Sequence, residues 1–308
     1  MPEKYINPYT DFGFMRIFGQ EANKDILIAF LNSLLPEHHQ IADLEFRNNE
    51  QTPLRHEIYT FILDLYCVTP SGERFIVEMQ QKYHHHFMDR SVSYTAAAIR
   101  NMVERGERSY ALPAVYYIGI LDFVHHGEGW TGEVIQEVSL KNQNGVVMYD
   151  KLRMYFIQLP LFAKKEDELV KPIDKWLYFL KYLQGFQRIP EVLGEPVFEK
   201  AFEVAALSAM SESEQYAHEK AWDDMVTTRG IWEYGLEGAR AEGLAEGRAE
   251  GEAQGRAQGR AEGEAQGRAE GEAQGVLKTA RNMLALGIPL ETIAQATGLA
   301  EADIRRMQ

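Results

Sequence analysis

Three polar side chains interrupt two runs of β-forming residues in the stretch DLYCVTPSGERFIVEMQ, residues 64–80. The residues TPSGE between the two runs favour a turn. A compact turn centred near Ser71 makes the strands antiparallel, and residues whose numbers sum to 142 then lie opposite each other. Asp64 lies opposite Glu78, and Gln80 shares the face of Glu78 because side chains two apart in a strand point the same way. The pattern predicts two carboxylates and an amide on one patch of a sheet.

These residue types at this spacing favour binding of a divalent cation. Like charges opposite each other destabilise a sheet, and buried carboxylates are costly unless they are paired or bind a metal. Two carboxylates, a backbone carbonyl and water are a common ligand set for Mg²⁺, and the ion can activate water for attack on a phosphate. The alternative is a one-sided sheet in which Asp64 lies at a strand edge and Glu78 and Gln80 face solvent, because the pattern is weak by itself.

The elements around this hairpin predict an α/β fold. Thr10 is the predicted N-cap of a short helix, DFGFMRIFG, with Asp11 in its first turn. Residues 23–35 form a predicted amphipathic helix that ends before Pro36. The other predicted elements are strands at 41–48, 58–68, 73–80, 113–123, 133–140 and 153–159 and a helix at 87–104. Through residue 121 the predicted order is therefore helix, strand, strand, strand, helix, strand, or αβββαβ.

A helical region follows the predicted sheet. Residues 172–233 have helical spacing, which is clearest in KWLYFLKYL at 175–183. In that helix Trp176, Phe179 and Leu180 share one face with Leu183. We interpret this apolar stripe as core packing.

Residues 235–275 form a tetrad repeat, in which a glycine occurs at every fourth position from Gly243 to Gly275. Each glycine costs a helix about 1 kcal/mol relative to alanine. Two interpretations remain open: a weak, partly melted helical spacer, which we favour, or a ridge of small residues along which two helices approach closely.

The last 33 residues, 276–308, have helix-turn-helix spacing. Gly298 lies at the turn, and Ile293, Leu299 and Ile304 are the predicted apolar contacts. A DNA-reading helix usually presents basic or amide side chains at its N-terminal end, whereas this one offers Glu301 and Asp303. A role in protein contact or capping is therefore preferred over base readout.

The chain thus divides into four predicted segments. They are a core at 1–165, a helical extension at 166–234, the repeat at 235–275 and the C-terminal unit at 276–308.

Composition restricts the class of protein. The chain has 308 residues, a formal net charge of −14 and one cysteine, Cys67, so a disulfide framework and a Cys-rich zinc site are excluded. No apolar run approaches the roughly 20 residues of a membrane span, and the first residues lack the pattern of a secretory signal, so we expect a cytoplasmic protein with no membrane partner. The acidic charge argues against a pure nucleic-acid-binding module but not against an enzyme with a local basic rim and a metal ion.

Several of these stretches together resemble the PD-(D/E)xK nuclease-family transposases, also called Rpn recombination-promoting nucleases. The resemblance is carried by YINPYTDFGFMRIFG, the D…FIVEMQ hairpin, FMDRSVSYTAAAI, ALPAVYYIGILDF, KLRMYFIQLPLF and DKWLYFLKYL, and it covers roughly residues 4–235. It implies a restriction-endonuclease-like αβββαβ core, which agrees with the element order above. The repeat and the helical tail also look typical of the group.

The resemblance implies roles for the hairpin residues. Asp64 corresponds to the motif aspartate and Glu78 to the acidic residue of the (D/E)xK element, and with the Met79 carbonyl they would bind Mg²⁺, with Mn²⁺ as an alternative ion. Gln80 stands where the motif has lysine and would orient the attacking water, since an amide is neither a base nor a cation near neutral pH. Asp11 is a candidate for an assisting acid on the first helix.

Three more residues are implied as supporting residues. Lys82 shares the parity of Gln80 and is a candidate for the missing positive charge. Arg90 and Tyr94 share a helix face, and Arg90 would contact a phosphate or hold Glu78. The alternative for Arg90 is a surface salt bridge with Asp89 or Glu104.

The chain departs from the family pattern in two further places. Met15 stands where a lysine follows DFGF, and a basic pair before the first catalytic strand is missing, so Arg16 and Arg55 are the candidates to compensate. The triplet His84–His86 is not expected to share an ion, because consecutive residues at a strand–helix junction point in different directions.

Two functions of different class follow. The first is a Mg²⁺-dependent DNA endonuclease linked to DNA recombination or mobility, with DNA as its partner. The second is an inactive or weakly active scaffold that binds DNA or partner proteins. Retention of Asp64 and Glu78 favours the first, whereas the acidic charge and Gln80 favour the second. A homo-oligomer formed through the helical extension or the repeat is compatible with both.

Overall fold

A computed structural model describes residues 3–47, 50–51, 61–102, 111–127 and 129–307 of the chain. The chain divides into two compact units, Met1–Thr228 and Arg229–Gln308. The four-segment division made from the sequence is finer than this one and stays a prediction.

Two helices precede the sheet, α1 (Asp11–Phe18) and α2 (Lys24–Leu34). The Thr10 side chain accepts a hydrogen bond from the Gly13 backbone N–H, so Thr10 is the N-cap that the sequence predicts. A side chain at Gly13 would collide with the Asn7 carbonyl, which is why the close turn before α1 requires glycine.

Eight strands and one helix form the central part of the larger unit. They are β1 (Glu45–Phe46), β2 (Glu50–Gln51), β3 (Phe61–Ile62), β4 (Leu65–Val68), β5 (Arg74–Gln80), α3 (Phe87–Arg100), β6 (Val115–Leu121), β7 (Ile135–Lys141) and β8 (Val147–Gln158). Six of the strands form one sheet in the order β1-β4-β5-β6-β8-β7, and β2 pairs with β3 separately. The β5–β6 and β6–β8 pairs are parallel, and the other pairs are antiparallel. Apart from α2 and the β2–β3 pair, the order through β6 is the predicted αβββαβ.

The β4–β5 hairpin has the predicted register. Leu65 pairs with Val77 and Val68 with Arg74, so paired residue numbers sum to 142. The turn between these strands contains Gly72, whose φ of +88° lies in the left-handed region that favours glycine.

Two predicted strands are shorter in the structure. The predicted strand 58–68 is interrupted at Leu63–Asp64, and its residues 58–60 lie outside the described residues. The interruption arises because the Asp64 backbone N–H donates to the Glu78 side chain, at 3.0 Å, and not to a strand neighbour. Of the predicted strand 41–48, only Glu45–Phe46 is a strand among the described residues 41–47, and residue 48 lies outside them.

Both faces of the sheet are covered by buried side chains. Phe75, Val77 and Met79 of β5 belong to the larger core, which also includes the helices of the N-terminal and helical regions. Ile76 belongs to a second cluster with residues of α3. Because side chains alternate along a strand, Glu78 shares the α3 side of the sheet.

Helices α4 (Pro172–Tyr182) and α5 (Pro196–Ala205) complete the larger core. All four residues of the predicted apolar stripe, Trp176, Phe179, Leu180 and Leu183, are buried. The core-packing interpretation of this stripe is confirmed.

A single helix, α6 (Glu212–Ala285), contains the whole tetrad repeat. The repeat residues are exposed, and among the described residues a Cβ built on any glycine from Gly243 to Gly275 would meet nothing within 4 Å beyond its sequence neighbours and the adjacent backbone of its own helix. The choice between a spacer and a helix-pairing ridge stays a prediction.

The C-terminal unit ends in α7 (Leu290–Thr297) and α8 (Glu301–Arg305). Ile293 and Ile304 are fully buried with Ala280 of α6, and Leu299 packs against them. The predicted turn residue Gly298 has a φ of +73° and ends α7. In the part of the chain that the structure describes, none of the helices is both long and apolar enough to cross a bilayer.

Candidate active site

Asp64 and Glu78 are joined through the backbone of the β4–β5 hairpin. The Asp64 N–H donates to Glu78 Oε1 at 3.0 Å, and the Met79 N–H donates to Asp64 Oδ2 at 2.7 Å. Glu78 is only 1% exposed. The structure therefore brings together the two carboxylates that the sequence places opposite each other, and it excludes the solvent-facing alternative for Glu78.

Gln80 and Arg90 extend this arrangement towards α3. Gln80 Nε2 donates to Glu78 Oε2 at 3.0 Å, and Arg90 donates to Gln80 Oε1 at 3.1 Å. The Arg90 guanidinium also lies 3.7 Å from Glu78 Oε2 and above the Tyr94 ring, 5.4 Å from its centroid. The amide thus connects a carboxylate to a cation. A lysine at this position could donate to Glu78 but has no acceptor for the Arg90 guanidinium.

Gly119 of β6 lies next to Glu78 in the parallel β5–β6 register. A Cβ at Gly119 would approach the rings of Tyr117 and Phe156 at 3.1 and 3.2 Å. Glycine at this position therefore makes room for these two buried rings on the α3 side of the sheet.

A cavity of 370 Å³ lies next to these residues. Asp64, Met79, Gln80, Lys82 and Arg90 line it. Glu78 is buried and is not among the lining residues, so Asp64 is the more accessible of the two carboxylates.

Two other parts of the chain complete the cavity. Asp11, in the first turn of α1, also lines it, and its role as an assisting acid stays a prediction. Ala221, Asp224 and Thr228, together with Met225, contribute one face of α6. Sequence analysis missed this face, because nothing in the spacing of these residues connects them with a hairpin about 150 positions earlier; their helical periodicity was the only available signal.

Burial makes the site electrostatically unfavourable for two ionised carboxylates. Desolvation, and then the charge of Asp64, raise the pKa of Glu78 to about 8. Desolvation also raises the pKa of Asp64 to about 6, against the lowering effect of the Met79 N–H. The charge of Asp11 adds to this increase in the pKa of Asp64, and Arg90 opposes it. The doubly ionised pair is therefore unfavourable unless a proton or a cation balances its charge.

The donor set fits a hard divalent cation. Carboxylate and carbonyl oxygens are the ligands that Mg²⁺ and Mn²⁺ take in proteins, usually with several waters. Among the residues that the structure describes, no three His, Cys, Asp or Glu side chains form a group that could hold a metal. An ion here would therefore depend on Asp64, Glu78, the Met79 carbonyl and water.

Arg16, one of the two proposed compensating arginines, is not among the residues that line this cavity. Arg16 is buried and donates to the Val204 carbonyl at 2.8 Å, and it pairs with Glu214. The prediction that Arg16 compensates for Met15 is therefore wrong, because these contacts hold its guanidinium away from the site. Arg55 lies outside the described residues.

Arg90 contacts residues of the hairpin, whereas the alternative interpretation placed it in a surface salt bridge with Asp89 or Glu104. Asp89 lies 3.5 Å from His86, and Arg90 contacts Gln80 and Glu78 instead. Glu104 lies outside the described residues. Of the histidine triplet, His84 lines the cavity.

The chain therefore has a mixed α/β core with two acidic residues held together at a β-hairpin. The family model described as "PD-(D/E)XK nuclease family transposase" matches residues 8–227, so the chain belongs to this family. The matched range includes the hairpin, α3 and the turns of α6 that line the cavity through Met225.

A second family model, described as "Rpn/YhgA-like nuclease family, C-terminal HTH domain", matches residues 273–308. Together the two matches confirm the Rpn-family resemblance. Helix-turn-helix domains commonly bind DNA, so this match favours DNA as a partner. The preference for protein contact, based on Glu301 and Asp303, stays a prediction. No curated protein and no solved structure matches the chain.

Proposed function

We propose that this chain is a metal-dependent DNA endonuclease that hydrolyses phosphodiester bonds. The observation that carries the proposal is the pair Asp64 and Glu78, joined by backbone hydrogen bonds of 3.0 and 2.7 Å at the edge of a cavity. The family match to residues 8–227 supports it. A cytoplasmic location and a link to DNA recombination or mobility are part of the same proposal.

Each residue has a proposed part in the reaction. Asp64, Glu78 and the Met79 carbonyl would hold Mg²⁺ or Mn²⁺, which when bound activates water and stabilises charge on the phosphate. Gln80 keeps Glu78 oriented through its 3.0 Å hydrogen bond, and Arg90 balances the charge of the pair. The sequence-based role of Gln80, orientation of the attacking water, would use its second amide N–H or the remaining lone pair of Oε1, because one N–H and one lone pair already have partners.

Supporting residues complete the cavity. Lys82 and Arg90 are the cationic side chains that would meet the DNA backbone, since both line the cavity. Asp11 lines it from α1 and would assist in holding water or the ion. Tyr94 supports the Arg90 guanidinium through its ring.

The test is cleavage of supercoiled plasmid by the purified full chain with Mg²⁺, with Mn²⁺ and with EDTA. We expect nicked and linear products only with metal, and we expect Asp64→Asn to lose them. Asp89→Asn is the matched control, because Asp89 lies on α3 with a side chain that is 85% exposed. Cutting that survives Asp64→Asn would contradict the proposal.

Metal binding should also depend on pH. The folded-state pKa values of Asp64 and Glu78 are raised, so their contribution to stability is fully present below the unfolded pKa values and is lost as the pH rises through about 6 and about 8. A cation reverses this loss because it binds the ionised forms. We expect millimolar Mg²⁺ to raise the Tm by several degrees near pH 8 and by much less near pH 5. An Asp64→Asn variant should show no such difference, whereas an equal shift at both pH values in the unchanged chain would contradict the assignment.

A second candidate function is a catalytically inactive or weak scaffold that binds DNA or partner proteins. The specific observation in its favour is Gln80 in place of lysine, with its amide engaged by Glu78 and Arg90. DNA binding that persists in EDTA, together with no cleavage under any metal condition, would favour this candidate.

Self-association is proposed through the helical extension or the repeat. The exposed glycine positions of α6 would let a second helix approach closely, and two copies would supply the two active sites needed to cut both strands.

A further inference from the structure

A chain of aromatic rings runs from the core of the larger unit to its surface. Phe156 is fully buried, and the Trp130 ring lies 5.4 Å from it. The His125 imidazole stacks on Trp130 at 4.2 Å, with an angle of 16° between the rings. Tyr83 meets His125 edge-to-face at 5.2 Å. Contacts at these distances are favourable, so each ring fixes the position of the next.

The position of His125 is set by hydrogen bonds as well. Its Nδ1 accepts from the Gly127 N–H at 2.8 Å, and its backbone N–H donates to Gln158 Oε1 at 2.8 Å. Gln158 is fully buried, and its Nε2 donates to the Glu133 carbonyl at 3.0 Å. A side chain at Gly127 would collide with the imidazole. These hydrogen bonds therefore hold His125 in contact with the Tyr83 ring.

Tyr83 lies at the rim of the candidate active site. Its two sequence neighbours, Lys82 and His84, both line the cavity, whereas Tyr83 itself is 37% exposed. Phe123 packs against it at 5.8 Å, also edge-to-face. An exposed ring that is supported from behind by other rings is pre-organised to stack on a flat ligand, because little conformational entropy is lost on binding.

The chemistry around Tyr83 indicates which flat ligand fits. Lys82 and Arg90 offer positive charge in the adjoining cavity, and a nucleotide combines a flat base with a phosphate. Bases inside an intact duplex already stack on both sides, whereas unpaired bases expose a face that aromatic side chains can cover.

We propose that Tyr83 stacks on an unpaired nucleobase next to the phosphate in the active-site cavity. This inference rests on the proposed nuclease function and names its substrate class: DNA that is single-stranded or contains an unpaired nucleotide at the cleavage site. The occupant is a base rather than an apolar peptide side chain, because the two sequence neighbours of Tyr83 line a cavity that also contains Asp64 and Arg90, where a phosphate and its cation would bind.

The test compares three fluorescent DNA ligands of one sequence context at one salt concentration: a single strand, a duplex with a one-nucleotide bulge and the fully paired duplex. Binding to the full chain is measured in EDTA, so that no strand is cut. We expect tighter binding of the two ligands with unpaired bases. Tyr83→Ala should weaken their binding about tenfold and change binding of the paired duplex by less than about twofold. Tyr83→Phe should bind like the unchanged chain.

Tyr149→Ala is the matched control, because Tyr149 is also 37% exposed but neither of its sequence neighbours lines the cavity, whereas both neighbours of Tyr83 do. Tyr83→Leu keeps apolar volume without an aromatic face, so it should reproduce the loss even if Tyr83→Ala fails to fold. The inference is overturned if Tyr83→Leu binds the ligands with unpaired bases as tightly as the unchanged chain does. It is also overturned if Tyr149→Ala weakens their binding as much as Tyr83→Ala does, or if Tyr83→Ala weakens binding of all three ligands equally.

Cleavage of the same ligands with Mg²⁺ separates this inference from the nuclease proposal. Cleavage of all three at equal rates would overturn the substrate class and leave the nuclease standing. A Tyr83-dependent preference in binding without any cleavage would support the stacking site and count against the nuclease. No binding and no cleavage of any ligand would overturn both.

Discussion

Replacing Glu78 with glutamine is expected to reduce metal-dependent DNA cleavage by about a thousandfold or more. The substitution keeps the shape of the side chain, and the new amide oxygen can still accept from the Asp64 N–H, now at 3.0 Å from Glu78 Oε1. It removes the negative charge that would hold the cation. The measurement is the initial rate of plasmid nicking at saturating Mg²⁺.

The same substitution should raise stability while it removes activity. Burial raises the pKa of Glu78 to about 8, so the ionised carboxylate is unfavourable in the folded chain above neutral pH. Without metal near pH 8, we expect Glu78→Gln to increase the free energy of unfolding by about 1 kcal/mol, because relief of the buried charge exceeds the cost of the lost attraction to Arg90 and of a new amide N–H that faces the Gln80 Nε2 donor. Near pH 4 the two proteins should have similar stability.

Glu45→Gln is the control for both readouts, because Glu45 lies on the same sheet with a side chain that is 69% exposed. It should leave the cleavage rate and the stability within error of the unchanged chain. A Glu78→Gln protein that cuts at the normal rate would refute its role as a metal ligand. One that is inactive and also unfolded would show a structural role instead, and the gain in stability is the result that distinguishes the two.

Replacing Trp176 with alanine is expected to destabilise the larger unit by about 3 to 5 kcal/mol. Trp176 is 2% exposed, and its ring lies 4.5 Å from that of Phe198 and 5.8 Å from that of Phe179. It also meets Phe18 at 6.1 Å and Phe30 at 5.9 Å, so it joins α1, α2, α4 and α5 in one cluster. Removing the indole leaves a cavity that four helices cannot all close.

Urea denaturation followed by near-ultraviolet circular dichroism measures this effect. Trp232→Ala is the matched control, because Trp232 is 44% exposed on α6 and outside the larger unit. It should change the free energy of unfolding by no more than about 0.5 kcal/mol. A small effect of Trp176→Ala would mean that the apolar stripe of α4 contributes little to the core.

The hairpin and its register could be predicted from local sequence. Two β-forming runs flank TPSGE, and a compact turn centred near Ser71 sets their pairing, so Asp64 lies opposite Glu78. The same local logic identified the N-cap at Thr10 and the buried stripe on α4, because capping and helical periodicity depend on residues that are close in sequence.

The contacts around Asp64 and Glu78 depend on tertiary packing and cannot be read from local sequence. The break before β4 arises from a hydrogen bond between the Asp64 backbone and the Glu78 side chain, which propensity cannot anticipate. Arg16 contacts Val204 and Glu214, which lie almost 200 positions later in the chain. Asp224 of α6 lines the cavity although it lies about 150 positions after the hairpin. Such contacts depend on how separate elements pack against each other, and a single sequence specifies that packing only through the energy of the whole fold.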